Sequence, residues 1–206
     1  KTAAEERDIL ATFMPKPFNH LTGSGAHFHM SLWDEEDKNL FVDDSDELGL
    51  SQEAYWFVGG LLQHAKALIA VNGPIVNSYK RLTRGAPRSG ASWAPVYITY
   101  GASNRTQMIR VPGPGRIENR AVDGSANPYL SCAAMLAAGL DGIDNKIDPG
   151  ARNSDNLYEV EEDELRRRGI GFLPATLKEA IEQFAADGVI EEAFGSEYTD
   201  YYVQVK

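Results

Sequence analysis

The sequence predicts an α+β fold, in which an antiparallel β-sheet has helices packed on one face and leaves the other face free to carry a site. Three features of the 206-residue chain predict it. Segments of alternating apolar and polar residues lie near the start and in the middle of the chain. Segments with helical periodicity lie between and after them. Two predicted strands, at 107–112 and 115–121, are joined too tightly for a crossover, so we expect them to be antiparallel.

The first part of the chain contains a helix end, a strand and a long helix. Residues 2–13 have amphipathic periodicity, and the two prolines that follow would stop this helix. Residues 24–33 alternate and are predicted to form a strand, whereas the acidic residues 34–50 read as a loop. Ser51 is a suitable N-cap for a helix that continues to about residue 71.

The middle of the chain combines a loop, strands and a helix. Residues 82–94 are rich in Gly, Ser, Pro and Arg and are predicted to form a mobile loop. Three strands are predicted after it, at 95–100, 107–112 and 115–121. Asn127 is the expected N-cap of a helix that has Pro128 at its first position and ends near residue 144. Residues 145–170 are predicted to be an irregular, acidic connection.

The C-terminal part is predicted to be helical. Thr176 and Glu179 have the spacing of a capping box at a helix start. The Asp187-Gly188 pair is expected to interrupt this helix, and a last helix is expected after Ser196.

The composition is typical of a soluble globular protein, with 43% hydrophobic and 24% charged residues. No apolar run reaches the length that spans a bilayer. The single cysteine, Cys132, cannot form an internal disulfide, and its apolar surroundings predict a buried side chain. This cysteine usage fits a reducing cytoplasm, which is where we expect the protein.

The net charge of −10 argues against nucleic acid and against an anionic membrane surface as partners. The charge is unevenly distributed, however. Residues 77–123 carry eight basic and two acidic side chains, a local charge of +6. This basic region suits a small polyanionic ligand such as a nucleoside triphosphate.

The first candidate site lies on the predicted strand 24–33. Strand alternation places His27, His29 and Ser31 on one face. Two imidazoles at this spacing can share a metal ion and a phosphate group, although a lone His-x-His pair is more often structural or simply exposed. The flanking glycines favour a ligand, since they let it approach the backbone.

The second candidate lies on the predicted strand 115–121, where Arg116, Glu118 and Arg120 share one face. Such a strand is either exposed with cross-paired charges, or it holds a hard metal by its carboxylate and anionic oxygens by its guanidiniums. Spacing alone leaves both interpretations open.

Two further basic runs extend the pattern, Asn104-Arg105-Thr106 with Arg110, and residues 77–82 with Arg81. Each alone could be solvated surface. Together with the first two candidates they supply cations, imidazoles and a carboxylate, the set that phosphoryl transfer requires.

The sequence resembles the glutamine synthetase family, specifically the C-terminal part of its catalytic domain. Five motifs in the family order carry the resemblance: T-G-S-G-A-H-F-H-M-S-L from Thr22, N-S-Y-K-R-L from Asn77, N-R-T-Q-M-I-R from Asn104, R-I-E-N-R from Arg116 and A-N-P-Y-L from Ala126. The run A-T-F-M-P-K-P from Ala11 also resembles the family, whereas residues 146–206 match loosely. The resemblance implies a partial catalytic domain with the glutamine synthetase and guanido kinase type of fold.

The resemblance implies that ATP and Mg²⁺ or Mn²⁺ are used to join glutamate to ammonia, through γ-glutamyl phosphate. Its metal ligands would be His27 and Glu118. Its ATP-binding residues would be His29, Ser31, Arg105, Arg110 and Arg116. Its glutamate-binding residues would be Gly23, Arg81 and Arg120. The residues implied to act in catalysis are His29, Arg81 and Arg105.

One departure from the family bears on the acceptor. Members carry a glutamate in the flexible loop, in a run like Y-E-A-P, whereas this chain has Ser92-Trp93-Ala94-Pro95 and no acidic residue between Leu82 and Ile117. Tryptophan removes a charge and adds apolar surface. The alternative acceptor is therefore a small alkylamine, as in γ-glutamylmethylamide-forming relatives.

A second departure concerns what precedes the motifs. The family has an N-terminal β-grasp domain and upstream acidic residues that complete the metal site, and we expect residues 1–206 to be only the C-terminal portion of the catalytic domain. We therefore predict that these 206 residues alone have no ligase activity. The resemblance implies that the full-length protein is a homo-hexamer or dodecamer that takes part in nitrogen metabolism.

Three other protein classes are disfavoured by the residues present. A non-catalytic protein of the same fold would have no need for five arginines beside Glu118. A guanidine kinase would lack the His-x-His pair beside a glutamate ligand. A P-loop protein is excluded because Ala91 stands where the essential lysine belongs after the glycines at 85 and 90.

Overall fold

The computed structural model describes residues 1–84 and 95–206. Within them the chain forms one five-stranded sheet with strand order β1-β4-β3-β2-β5. The strands are β1 Phe28–Met30, β2 Tyr97–Gly101, β3 Gln107–Gly113, β4 Arg116–Asn119 and β5 Gly171–Phe172. The helices are α1 Thr2–Glu5, α2 Gln52–Gln63, α3 Ala65–Asn72, α4 Ser78–Arg81, α5 Pro128–Asp144, α6 Glu162–Arg167, α7 Leu177–Ala185, α8 Gly188–Phe194 and α9 Ser196–Val205.

The sheet confirms the α+β class but is mixed rather than antiparallel throughout. The β1–β4, β3–β4 and β2–β5 pairs are antiparallel, as the short connection between β3 and β4 predicts. The β2–β3 pair is parallel, with Tyr97 opposite Gln107 and Gly101 opposite Arg110. Residues 102–106 must therefore run back beside β2, from its end at Gly101 to the level of Tyr97, where β3 begins. Residues 102–106 make this return through bends and a turn, without a crossover helix.

Local signals set most helix ends. The Ser51 hydroxyl accepts the Ala54 amide hydrogen at the start of α2, and the Thr176 hydroxyl accepts that of Glu179 at the start of α7. Asn127 caps α5 and Pro128 is its first residue, as predicted. The long helix expected from Ser51 is divided at His64 into α2 and α3.

Three expectations about local structure and burial were wrong. The N-terminal helix covers Thr2–Glu5 rather than 2–13, and Leu10 is 92% exposed, so the apolar face of the longer helix would have nothing to pack against. Cys132 is exposed, because α5 buries Ser131, Ala134 and Met135 and turns Cys132 to the opposite side. The acidic connection 145–170 also contains a short helix, α6.

Close packing of α2 on α5 sets the helical side of the sheet. A Cβ added to Gly60 would lie 1.9 Å from the Ala138 carbonyl oxygen, and one added to Gly142 would lie 2.2 Å from that of Trp56. The Asn119 amide on β4 donates to Met135 Sδ on α5 at 3.3 Å. Alternation therefore turns Glu118 to the other side of the sheet. In the described ranges, no helix has the length and apolar character needed to cross a membrane.

Candidate functional site

The side chains of His27, His29 and Glu118 meet on the sheet face away from α5. In the antiparallel β1–β4 pair, His29 lies directly opposite Glu118. Glu118 Oε1 is 2.8 Å from His27 Nδ1 and 3.8 Å from His29 Nε2. The two sequence-predicted metal ligands are thus neighbours. Alternation along β1 turns Phe28 and Met30 to the opposite face, where both pack against the core.

Two arginines share the second carboxylate oxygen of Glu118. Arg110 lies opposite Glu118 on β3, and its Nη1 donates to Glu118 Oε2 at 2.8 Å. Arg120 Nε lies 3.9 Å from the same oxygen. Burial raises the pKa of Glu118, but the Arg110 hydrogen bond and the charges of His27, Arg120 and Arg110 outweigh it, so the pKa lies below its usual value. Glu118 is therefore held as a carboxylate.

His27 is held in its neutral form. Burial lowers its pKa, and the charges of Arg120 and Arg81 lower it further, whereas Glu118 acts in the opposite direction. A neutral imidazole beside an ionised carboxylate is the protonation state that cation binding requires.

Arg81 lies beneath the glycine-rich run that precedes β1. Its Nη2 donates to the Arg120 carbonyl oxygen at 2.9 Å and its Nη1 to that of Ala121 at 3.1 Å. A Cβ added to Gly25 would lie 3.0 Å from Arg81 Nη2. One added to Gly23 would lie 3.3 Å from the Arg81 side chain and 2.5 Å from the Pro15 carbonyl oxygen. The glycines thus allow the close approach that brings Gly23, Arg81 and Arg120 together.

Burial distinguishes Arg81 from a surface arginine. The residue is 5% exposed, and burial lowers its pKa to about 10 even though the Asp123 carboxylate opposes this shift. Asp123 itself is buried, and it is paired through the backbone with Gly25. Asp123 was not predicted from the sequence as a residue of the site. The available signal was a carboxylate three residues after Arg120 in an otherwise basic region.

Arg105 lies on the linker between β2 and β3, with its side chain exposed. Its carbonyl oxygen accepts a hydrogen bond from Arg120 Nη1, which links this loop to the Glu118 cluster. A cavity of about 480 Å³ lies beside it. The cavity is lined by residues 102–106 and by Asn153, Ser154 and Asn156.

Ser31 and Arg116 lie at the margin of the site. Met30 pairs with Ile117, so the next position in register places Ser31 beside Arg116. Arg116 is exposed, and Ser31 accepts a hydrogen bond from the Trp33 indole nitrogen at 2.9 Å. Trp33 was not singled out from the sequence. The acceptor hypothesis depends on the run Ser92–Pro95. Three of these residues belong to 85–94, outside the described ranges, and Pro95 is described.

The described residues supply part of a cation site. Glu118 oxygen and His27 nitrogen are donors that Mn²⁺ and Mg²⁺ accept, and their contact shows that they can reach one ion. Among residues 1–84 and 95–206, however, no group of three or more His, Cys, Asp or Glu side chains is arranged to hold a metal ion. The donors fit the ion in type but not in number.

The comparisons with known proteins agree with this geometry. Residues 1–206 match the family model described as "Glutamine synthetase, catalytic domain". The chain is 45% identical over 207 residues to the glutamine synthetase of Rhizobium meliloti, covering 100% of this chain and 47% of that protein. It is 49% identical over 205 residues to the glutamate–methylamine ligase of Methyloversatilis universalis, covering 98% of this chain and 46% of that protein.

A solved structure shares the fold closely. The chain superposes on a GmaS–ADP complex with a TM-score of 0.91 and 48% identity, covering 100% of this chain and 46% of that one. The chain therefore spans about half the length of the relatives it matches.

Proposed function

This chain belongs to the glutamine synthetase family, and from that premise we propose that the full-length protein joins glutamate to ammonia or a small amine at the expense of ATP. The observation that carries the proposal is the cluster in which Glu118 contacts His27 at 2.8 Å and Arg110 at 2.8 Å on one sheet face. Its positive charges match what two reacting anions require, and its donors are of a type that a divalent cation binds.

The described residues would act in two groups. Arg81 and Arg120, with the Gly23 backbone, would bind the carboxylates of glutamate. Arg105, Arg110 and Arg116 would neutralise the phosphate oxygens, with His29 and Ser31 facing them. Fixed cations that match a loose, anionic phosphoryl transition state accelerate transfer without a nucleophilic side chain. The site would thus position the γ-carboxylate of glutamate for phosphorylation, and an amine would then attack γ-glutamyl phosphate and release phosphate.

His27 and Glu118 would hold a catalytic Mg²⁺ or Mn²⁺. When bound, such an ion neutralises charge between the two anionic substrates. Glu118 is well placed for this because Arg110 and Arg120 engage its second oxygen and leave the first toward the histidines. The remaining ligands would come from outside the described residues.

Two observations favour a small alkylamine as a second candidate acceptor. No Asp or Glu occurs between Leu82 and Ile117, where family members carry the loop glutamate. A relative 49% identical to this chain is named glutamate–methylamine ligase. An apolar loop side chain would favour the methyl group of an alkylamine, since burying one such group contributes about 0.8 kcal/mol.

Rates of ATP-dependent phosphate release test both candidates. The full-length protein would be supplied with glutamate, ATP and Mg²⁺, and with ammonia, methylamine or ethanolamine in turn. Glutamate-dependent turnover supports the family activity, and its absence with every amine would reject it. A preference for ammonia by orders of magnitude would reject the alkylamine.

We also propose that the full-length protein is cytoplasmic and assembles as a homo-hexamer or dodecamer. Sedimentation would measure the assembly state.

A further inference from the structure

The linker between β2 and β3 carries Arg105 on an exposed turn. Residues 102–106 connect two parallel neighbouring strands, and Ala102, Ser103 and Arg105 are exposed. An arginine side chain has many rotamers and loses much of its conformational freedom when it is fixed. Where its guanidinium can reach is therefore decided by how firmly the peptide that carries it is held.

The two residues that flank Arg105 fasten this peptide to the segment 153–157. Asn104 Nδ2 donates to the Asp155 carbonyl oxygen at 2.6 Å. Asn104 Oδ1 accepts from the Thr106 amide at 2.9 Å and from the Thr106 hydroxyl at 2.7 Å. The Thr106 hydroxyl in turn accepts from the Leu157 amide at 3.3 Å. These four bonds form a continuous bridge of two side chains between the loop and residues 155–157.

Burial shields the Thr106 end of this bridge from water, whereas the Asn104 bond to Asp155 is exposed. Thr106 is 1% exposed and Leu157 is fully buried, so their polar groups have no access to water as an alternative partner. Asn153 extends the bridge, because its backbone amide donates to the Tyr100 carbonyl oxygen at 2.9 Å. Its side-chain amide donates to the Asp155 carbonyl oxygen at 3.0 Å. On the other side of the loop, Arg120 Nη1 holds the Arg105 carbonyl oxygen. The Arg105 peptide is therefore fixed from two sides.

We propose that Asn104 and Thr106 are positioning residues that bind the Arg105 peptide to the segment 155–157 and so aim the Arg105 guanidinium at the phosphates of ATP. The inference rests on the proposed function, since it needs Arg105 to contact ATP. It assigns the acidic segment after Asn153 a role as the support of a nucleotide-binding loop. The loop is joined to the proposed glutamate side by the hydrogen bond from Arg120 Nη1 to the Arg105 carbonyl oxygen, and substitutions at Asn104 or Thr106 remove neither of these two groups.

The matched substitutions are Thr106→Val and Thr106→Ser in the full-length protein. Valine has nearly the same shape but leaves the buried Leu157 amide without an acceptor, whereas serine keeps the hydroxyl. We expect Thr106→Val to raise the KM for ATP about tenfold. A tenfold change corresponds to about 1.4 kcal/mol, which is within the cost of leaving one buried polar group unsatisfied. The KM for glutamate should change less than about twofold, and Thr106→Ser should restore the KM for ATP.

Asn104→Asp provides an independent test if Thr106→Val does not fold. Aspartate keeps the oxygen that accepts from Thr106 and loses the donor to Asp155, so the KM for ATP should rise while the KM for glutamate stays near wild type. Asn145→Ala is the control, because the Asn145 side-chain amide donates, among the described residues, to Asp141 alone, within its own helical turn. Thermal unfolding and the Kd for MgATP, measured without glutamate, would be recorded for every variant.

The outcomes separate the positioning role from the proposed function. The test requires two results first: the wild-type protein is active, and Arg105→Ala raises the KM for ATP. If Arg105→Ala raises the KM for ATP but Thr106→Val or Asn104→Asp, shown to be folded, leaves it unchanged, the positioning role is overturned. Equal increases in the KM for ATP and glutamate would overturn it as well, since a general loss of structure would then be the cause. An inactive wild-type protein would reject the proposed function itself.

Discussion

Glu118 shows how one side chain acquires two roles from its position. One of its oxygens faces two imidazoles and the other faces two guanidiniums. The residue is 3% exposed, so water does not screen these charges strongly. A buried carboxylate of this kind is stable only because its partners are fixed, and the two strands beside β4 fix them.

Replacing Glu118 by glutamine should weaken metal binding far more than folding. Glutamine keeps the shape but removes the charge that attracts the cation, so we expect the Kd for Mn²⁺ of the full-length protein to rise by about 100-fold or more, beyond what losing a supporting group costs. Titration followed by electron paramagnetic resonance would measure it, with the exposed Glu197→Gln as the control. Unchanged Mn²⁺ affinity would remove Glu118 from the metal site.

At the scale of the elements, a buried histidine joins helices that are far apart in sequence. His64 lies between α2 and α3, with Nδ1 2.7 Å from Asp187 Oδ2 and Nε2 3.0 Å from Asp141 Oδ2. Asp141 belongs to α5, and Asp187 caps α8 through its other oxygen. Both ring nitrogens therefore donate to carboxylates when the ring is protonated, and the C-terminal helices are tied to the core at this point.

This contact should make stability depend on pH. The hydrogen bond to Asp187 raises the pKa of His64; burial opposes the shift, and Asp141 adds to it. A raised folded-state pKa means that the stabilisation is fully present below the unfolded value of about 6.5 and is lost as pH rises through the folded value. Wild type should therefore exceed His64→Gln in free energy of unfolding by more at about pH 5.5 than at about pH 9. Urea denaturation would measure this, and an equal difference at both pH values would contradict it.

The contact between α2 and α5 allows a second prediction at this scale. A methyl group at Gly142 would lie 2.2 Å from the Trp56 carbonyl oxygen, so Gly142→Ala must push the helices apart, at a cost of about 1–3 kcal/mol. Gly188→Ala is the matched control, because nothing lies within 4 Å of its added Cβ and alanine favours the helix. Urea denaturation should show a large loss for the first variant and none for the second; equal effects would argue against close helix packing.

At the scale of the whole molecule, the proposed metal site has fewer donors among residues 1–84 and 95–206 than its chemistry needs. Mg²⁺ requires near-octahedral coordination, and Ca²⁺-like hard ions take six or more oxygens. Glu118 and His27 are the two proposed ligands that the described residues bring into contact. The chain also spans 47% of the Rhizobium relative, so the comparison protein has as much sequence again from which to supply ligands.

We therefore expect the 206-residue chain alone to lack glutamate-dependent ATP turnover, although it folds. Circular dichroism would establish folding, and phosphate release would be compared with that of the full-length protein under identical Mg²⁺ and amine concentrations. Turnover by the chain within about tenfold of the full-length rate would contradict an incomplete metal site, since losing first-sphere donors costs more than this.

The sequence by itself determined the features that depend on neighbouring residues. Asn127 with Pro128 predicted the start of α5, and Ser51 that of α2, because a cap acts on amides two or three residues away. Alternation predicted His27 and His29 on one side of the segment that contains β1 and Glu118 on one side of β4, because a strand repeats every two residues. The order of the five motifs along the chain indicates the family.

Only the tertiary structure decided how these segments meet. The parallel β2–β3 pair, the burial of Arg81 beneath Gly25, and the contacts of His64 with residues 77 and 123 positions away are all set by long-range packing. The same holds for the exposure of Cys132, since an apolar helix can turn any of its faces to the core. Local patterns determine which side chains lie on each face of a helix or strand. The free energy of burying one element against another determines which of these side chains come into contact.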